Sequence, residues 1–267
     1  MESALVHALG LEYQPVALSL SDEAPRGART PPKGRTCVMR FLADAARGET
    51  VALEKDTVSC RGGLIGLGFT GDISHMPGGE EGFYRFLSTG NRPHLKELGL
   101  AEAGMSEDFL DGERYLKTPE LVKLFVEGLP AVEIEEKFVV LRPLSAVGPG
   151  EEPLSVTLLA DPDQLSALVV LSNYGRETAD NVIIPMGAGC HQIGIHVYRE
   201  AKREKPRAVV GLTDLSARLC VNALLGDRYL TFSVPWRFFR EMERDVPGSF
   251  LERTTWRKLM ALRKKKR

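Results

Sequence analysis

The sequence lacks a long apolar run, a secretory signal and an excess of charge of either sign. No stretch approaches the roughly 18 uninterrupted apolar residues that a membrane-spanning helix needs, so we expect no membrane span. The first residues show no basic start, long apolar run or small-residue cleavage site, so a cytoplasmic location is expected. The 267 residues include 35 Lys and Arg against 36 Asp and Glu, which argues against a protein that coats nucleic acid.

Cysteine is scarce, and the usual catalytic and metal motifs are missing. Four cysteines in a chain of this length are too few for a disulfide scaffold: Cys37, Cys60, Cys190 and Cys220. None belongs to a C-x-x-C pair, which excludes a zinc ribbon or a ferredoxin-type cluster motif. The sequence also has no G-x-S-x-G, no H-E-x-x-H and no paired-carboxylate signature. Any site that the cysteines share must therefore be assembled by the fold.

Hydrophobic residues make up 43% of the chain, enough for a real core, and predicted helices alternate with predicted strands. The expected strands include residues 57–59, 155–160 and 181–186, and Thr118 and Asp161 with Gln164 are expected to cap two helices. This pattern predicts an α/β or α+β fold with a single mixed sheet flanked by helices, in one domain over residues 1–267. A C-terminal helix with a basic tail is expected over 250–267. The tail, RKKKR, could touch nucleic acid or anionic lipid, but a solvated chain end is the favoured interpretation.

The cysteines stand where elements are predicted to begin. Cys37 follows Thr36, a plausible N-cap, and Cys190 follows the turn Gly-Ala-Gly at another predicted helix start. Free N–H groups at a helix start favour the thiolate, the form that binds metal. Cys60 precedes RGGLIGLGF, read as a glycine-rich turn whose backbone can approach a ligand closely, with a phosphate site only weakly indicated. Cys220 lies in an apolar stretch, where a core role is favoured.

The histidines nearest to these cysteines could complete a site. His191 adjoins Cys190, His196 lies five positions further on, and His75 follows the glycine-rich segment. Imidazole binds zinc and iron, so mixed Cys and His sites are chemically reasonable. Taken singly, each histidine is more commonly a surface or hydrogen-bonded residue than a ligand.

The order of several short motifs resembles the domain of unknown function 169 family of bacterial and archaeal proteins. The similar segments are PVALSL, TCVM, VSCRGG with GLG, RPL, DPDQL, GAGC and SVP, spread over most of residues 12–245. The resemblance implies that Cys37, Cys60 and Cys190 occupy the recurring cysteine positions of the family. It also implies a further cysteine near 211–218, where this chain has none and Cys220 lies just beyond. The fourth ligand therefore stays open between Cys220, a histidine, an exogenous ligand and none.

Together these observations predict a cysteine-ligated metal centre, with an iron–sulfur cluster, of the [4Fe–4S] type, as the expected cofactor. Its expected function is electron transfer or small-molecule redox chemistry, with a redox partner or a small-molecule substrate, and a homo-oligomer is allowed. The expected ligands and close-approach glycines are Cys37, Cys60, Cys190, Cys220, His191, Gly62, Gly63 and Gly189.

Three alternatives remain open from the sequence. The first is a zinc site completed by His191 or His75. The second is a metal-free module that binds a small molecule, with core cysteines far apart in space. The third is a thiol-dependent enzyme with Cys60 or Cys190 as the nucleophile and His191 as the base.

Overall fold

The structure is a computed structural model that describes residues 3–31, 37–74 and 76–266. The chain folds into two compact units, the first formed by Met1–Phe69 with Val132–Arg267 and the second by Thr70–Ala131. The expected organisation as a single domain stays a prediction. Among the described residues, no helix combines the length and the apolar character needed to cross a membrane.

The first unit is built on a seven-stranded mixed sheet, as the sequence predicts. Its strands are β1 Val16–Ser21, β2 Val51–Glu54, β3 Phe138–Pro143, β4 Ser155–Ala160, β5 Val182–Ile183, β6 Ala208–Gly211 and β7 Leu230–Pro235. The spatial order is β2-β3-β1-β4-β7-β6-β5. Only β5 and β6 pair in parallel, and every other neighbouring pair is antiparallel.

Helices connect the strands and make up the second unit. Those of the first unit are α1 Ala4–Leu9, α2 Val38–Ala46, α3 Arg61–Gly66, α8 Pro162–Ser172, α9 Gly189–Ile193, α10 Ile195–Ala201, α11 Leu215–Leu225, α12 Trp236–Asp245 and α13 Thr254–Lys266. Those of the second are α4 Gly79–Phe86, α5 Arg92–Glu97, α6 Glu107–Asp111 and α7 Pro119–Glu127. Single 3₁₀ turns occur at Leu144–Ala146 and Phe250–Glu252.

The sheet is covered on both faces, so it lies between two hydrophobic cores. Because side chains alternate along a strand, Val16 and Leu18 of β1 enter the first core while Ala17 enters the second. The first core contains residues of α2, α3, α9 and α11, whereas the second contains residues of α1, α8, α12 and α13. Cys190 belongs to the first core, and Cys37 packs against it. The candidate site therefore lies on that face of the sheet.

Local signals place several helix starts as predicted. Thr118 caps α7, and Asp161 with Gln164 forms a reciprocal capping box at α8. Asp161 also bonds Arg263 of α13 through both carboxylate oxygens. Arg263, the first residue of the basic tail, is thus paired within the fold; the side chains of residues 264–267 lie outside the described structure.

Three local predictions are wrong in detail. RGGLIG forms the helix α3 instead of a turn, because its glycines pack closely against neighbouring helices. Residues 57–59, expected as a strand, form a turn in which Thr57 bonds back to the carbonyl of Glu54. The strand expected over 181–186 shortens to β5, since Pro185 has no N–H to continue the ladder.

The second unit has a small core of its own. Leu95, Phe109 and Leu110 are buried at its centre. The side-chain amide of Asn91 donates to the carbonyls of Gly82 and Phe109, at 2.9 and 3.0 Å, and so ties α4 to α6. The expected cysteine ligands all belong to the first unit.

Candidate functional site

Cys60 and Cys190 come together because α3 packs against α9. Cys60 is the N-cap of α3, and Cys190 lies in the first turn of α9. The Cys190 thiol donates to the carbonyl oxygen of Gly62, with Sγ and O 3.2 Å apart. Cys60 and Cys190 are 130 positions apart in the sequence, so only the tertiary fold brings them together.

The two helices can meet this closely because glycine occupies the crossing. A Cβ on Gly66 would stand 2.7 Å from the carbonyl carbon of Cys190 and 2.8 Å from the amide nitrogen of His191. A Cβ on Gly194, which follows α9, would stand 1.9 Å from the carbonyl oxygen of Gly66. All three distances are shorter than real Cβ atoms show. Gly66 and Gly194 therefore allow the separation that the two helices have.

Cys37 and Cys220 complete the group of thiols. Cys37 is the N-cap of α2, and Thr36, expected to cap this helix, lies outside the described residues. Cys220 lies on α11, which packs against α2. The pKa of Cys37 is raised by burial and by the neighbouring thiols of Cys220 and Cys60. Cys37 is half-buried and Cys190 buried, whereas Cys220 is exposed, so the site opens to solvent on the side of α11.

Electrostatic interactions link three of these thiols to one another. The pKa of Cys190 is raised well above its ordinary value, first by burial and then by the charges of Cys60 and Cys37. Cys60 also raises the pKa of Cys37. That Cys37, Cys60 and Cys190 share one centre stays a prediction, and so does the alternative of a metal-free module.

The protonation state of the thiols differs from the expectation for helix starts. Nearby backbone amides do lower the thiol pKa, that of Met39 at Cys37 and those of Gly62 and Gly63 at Cys60. Burial outweighs them and raises the pKa of Cys37 to about 12 and that of Cys60 above its ordinary value. Without a metal these thiols are protonated at neutral pH, which disfavours the interpretation as an activated nucleophile.

The thiols do not form a compact single-ion site. Within the part of the chain that the structure describes, no three His, Cys, Asp or Glu side chains lie close enough together to hold one metal ion. His75, one expected ligand, lies outside that part.

The three glycines expected to face a ligand divide into two kinds. A Cβ on Gly63 would stand 2.8 Å from Val38, and one on Gly189 would stand 2.9 Å from Met39. These two glycines thus admit side chains of α2 and serve close helix packing. Gly62 has open space, with only the Cys60 sulfur 3.9 Å from its Cβ position, so it is the one that borders the thiols.

His191 and His196 lie buried behind the cysteines. Their exposed fractions are 4% and 5%. Burial lowers the pKa of each ring to about 4, so both rings are neutral at pH 7. The carbonyl of Gly62 lies beside His191 and offsets part of this lowering of its pKa. The same carbonyl accepts the hydrogen bond from Cys190.

Sequence reasoning missed the loop after β6. Asp214 caps α11 by accepting from the amides of Ser216 and Ala217, and its charge acts on Cys60, Cys190 and His191. Two residues earlier, buried Leu212 has a φ of 59°, a left-handed conformation that is rare for a branched side chain. Strained backbone of this kind collects at functional sites. The Thr-Asp-Leu-Ser segment carried a capping signal, which could have located the helix.

The fold defines an α/β protein with a mixed sheet covered on both faces, and three of its cysteines lie at helix starts. The chain belongs to the domain of unknown function 169 family, described as uncharacterised ArCR, whose model matches residues 4–245. This confirms the family predicted from the order of the motifs. Neither the curated proteins nor the solved structures give a significant match to the chain.

Proposed function

We propose that Cys37, Cys60 and Cys190 hold an iron–sulfur cluster of the [4Fe–4S] type, which serves electron transfer or small-molecule redox chemistry. The observation that carries this proposal is that Cys37, Cys60 and Cys190 each lie at the start of a helix, with the Cys190 thiol donating to the carbonyl of Gly62 two positions after Cys60. When bound, such a cluster supplies a one-electron carrier.

A cluster and a single ion need different spacings of their thiolate ligands. A zinc–sulfur bond is about 2.3 Å long, so two thiolates on one tetrahedral ion lie within about 4 Å of each other. The described side chains contain no group of three ligands compact enough for one ion, yet the three thiols act on one another electrostatically. The irons and sulfides of a cluster stand between its ligands, so its thiolates are farther apart than those around one ion.

The surroundings of the sulfurs suit an anionic group. The amides of Met39, Gly62 and Gly63, and that of His191 at Cys190, all favour negative charge on sulfur. Hydrogen bonds of this kind and burial are the means by which a protein sets the potential of a cluster. Because burial keeps the free thiols protonated, binding must release their protons, so assembly is expected to be favoured at higher pH.

Cys220 is our proposed fourth ligand. It is the neighbour of Cys37, and its thiol contributes to the raised pKa of Cys37 by charge and by a hydrogen bond. It is also the exposed member of the group. A redox partner or a small-molecule substrate would therefore approach from this side, with the protein in the cytoplasm.

The test is anaerobic purification and reconstitution of the full chain, with quantification of iron, sulfide and zinc. We expect iron and sulfide in comparable amounts and a broad absorption near about 400 nm, the region typical of thiolate-bound clusters. Cys37→Ser, Cys60→Ser and Cys190→Ser should each lose most of the cluster. Ala167→Ser is the matched control, because it buries the same hydroxyl in the other core.

Two results would overturn the proposal. One is a folded, colourless anaerobic protein that takes up no iron on reconstitution. The other is stoichiometric zinc without sulfide, which would assign the thiols to a zinc site. Cys220→Ser tests the fourth ligand. Partial loss of the cluster is expected if Cys220 binds it, and full retention would remove Cys220 from the ligand set.

A further inference from the structure

His191 and His196 are two buried imidazoles without a hydrogen bond of ordinary geometry, although the carbonyl of Gly62 lies beside the ring of His191. None of the four ring nitrogens of His191 and His196 makes a hydrogen bond of ordinary geometry with a described residue, although both rings are at least nine-tenths buried. A buried polar group left unpaired is destabilising, and native proteins keep few of them. Two adjacent rings in this state therefore point to a bound partner.

The rings converge on one space. The Nδ1 atom of His191 and the Nε2 atom of His196 lie 3.9 and 3.8 Å from the point where a Cβ of Gly187 would stand. Because glycine has no side chain, that point is free. One ring nitrogen of each histidine therefore lies within 4 Å of the same point beside the backbone of Gly187, and we call the space at this point the opening.

The opening is held in place by hydrogen bonds. The side-chain amide of Gln192 donates to the carbonyl of Pro185 at 2.8 Å and to the hydroxyl of Thr213 at 2.7 Å. It thereby fixes the loop that leads to Gly187. The carbonyl of Gly62 lies beside the ring of His191, the kind of contact that orients metal-binding histidines.

We propose that His191 and His196 bind a divalent transition-metal ion at this opening, separate from the cysteine site. Neutral imidazole is the commonest protein ligand for such ions. The carboxylates of Asp214 and Glu200 act on the two rings and favour a cation, whereas Arg199 opposes it. The described residues offer no group of three suitable ligands, so water or a substrate completes the coordination and leaves positions open for exchange.

The experiment is a titration of the full-length wild-type chain with Co²⁺ alone, followed by visible and near-ultraviolet absorption. Thiolate ligands give intense near-ultraviolet charge-transfer bands, whereas an imidazole and water site gives only weak visible bands. We expect about one Co²⁺ per chain with the second spectrum. His196→Gln, which removes one ligand, should weaken this binding by at least about tenfold. His7→Gln, at an exposed histidine, is the matched control and should bind like the wild type.

A second variant keeps the test informative if His196→Gln does not fold. Gly187→Ala places a methyl group in the opening at ordinary contact distances, 3.7 to 3.9 Å, so it should fold normally and weaken Co²⁺ binding to a similar extent. Both variants should retain the iron and sulfide of the wild type, which separates this proposal from that for the cysteines. Absence of Co²⁺ binding, binding through thiolates only, or equal affinity in Gly187→Ala and wild type would each overturn it.

Discussion

The crossing of α3 and α9 at Gly66 gives a sharp test of how the thiols are brought together. We expect Gly66→Ala to destabilise the protein and to lower its cluster content, because the new methyl group would overlap backbone atoms of Cys190 and His191 at 2.7 and 2.8 Å. Backbone atoms cannot rotate away as a flexible side chain can. The two helices must therefore separate, which moves Cys60 away from Cys190.

The size of the effect follows from two opposing contributions. Overpacking a close contact costs about 1–3 kcal/mol, and contact with backbone on both sides places this site at the upper end. Alanine recovers about 1 kcal/mol through its higher helix propensity. The net loss in the free energy of unfolding is thus about 2 kcal/mol, which lowers Tm by about 4–8 °C in a protein of this size.

The assay is urea unfolding of the metal-free protein, together with the iron content after reconstitution. Gly128→Ala, at the end of α7, is the matched control, because its Cβ would meet only ordinary contacts at 3.4 and 3.5 Å. It should change stability by less than about 0.5 kcal/mol. If Gly66→Ala were as stable as this control and bound full iron, the account of the helix crossing would be refuted.

Three other measurements check separate parts of the structure. The fully buried carboxylate of Glu200 pairs with Arg207 and, at 3.4 Å, with the exposed Arg203, so Arg207→Ala should cost about 3 kcal/mol in urea unfolding, the lower end for breaking a buried pair. Lys205→Ala, which removes an exposed pair, should cost less than about 1 kcal/mol, and equal costs would contradict this assignment. In the metal-free protein at about pH 8, iodoacetamide should alkylate the exposed Cys220 alone, as detected by mass spectrometry. The reason is that burial raises the pKa of the thiols of Cys37, Cys60 and Cys190, and early alkylation of one of these three would contradict it. Burial lowers the pKa of His196 to about 4, so the unfolded chain takes up a proton there more readily than the folded one, and the free energy of unfolding should fall as pH drops from about 6.5 to 4. His196→Gln should make this fall less steep. An equally steep fall in the variant would exclude His196 as its cause.

The sequence by itself determined the features that depend on neighbouring residues. The segment SVTLLA predicted β4 at its observed bounds, and Asp161 with Gln164 predicted the start of α8. Cys190 was placed at a helix start because a Gly-Ala-Gly turn precedes it. Such signals succeed because a cap or a short strand is specified by side chains within a few positions of one another. The order of these motifs was also enough to predict the family.

Only the tertiary structure decided what happens between distant segments. RGGLIG became a helix because Gly66 packs against α9, a contact that no local signal contains. Burial, which depends on neighbours from the whole unit, reversed the expected effect of the helix starts on the thiols. The hydrogen bond from Cys190 to the carbonyl of Gly62, and the approach of His191 and His196 to Gly187, arise in the same way. Distances and desolvation belong to the assembled core, because each is set by residues that the chain brings together only when it folds.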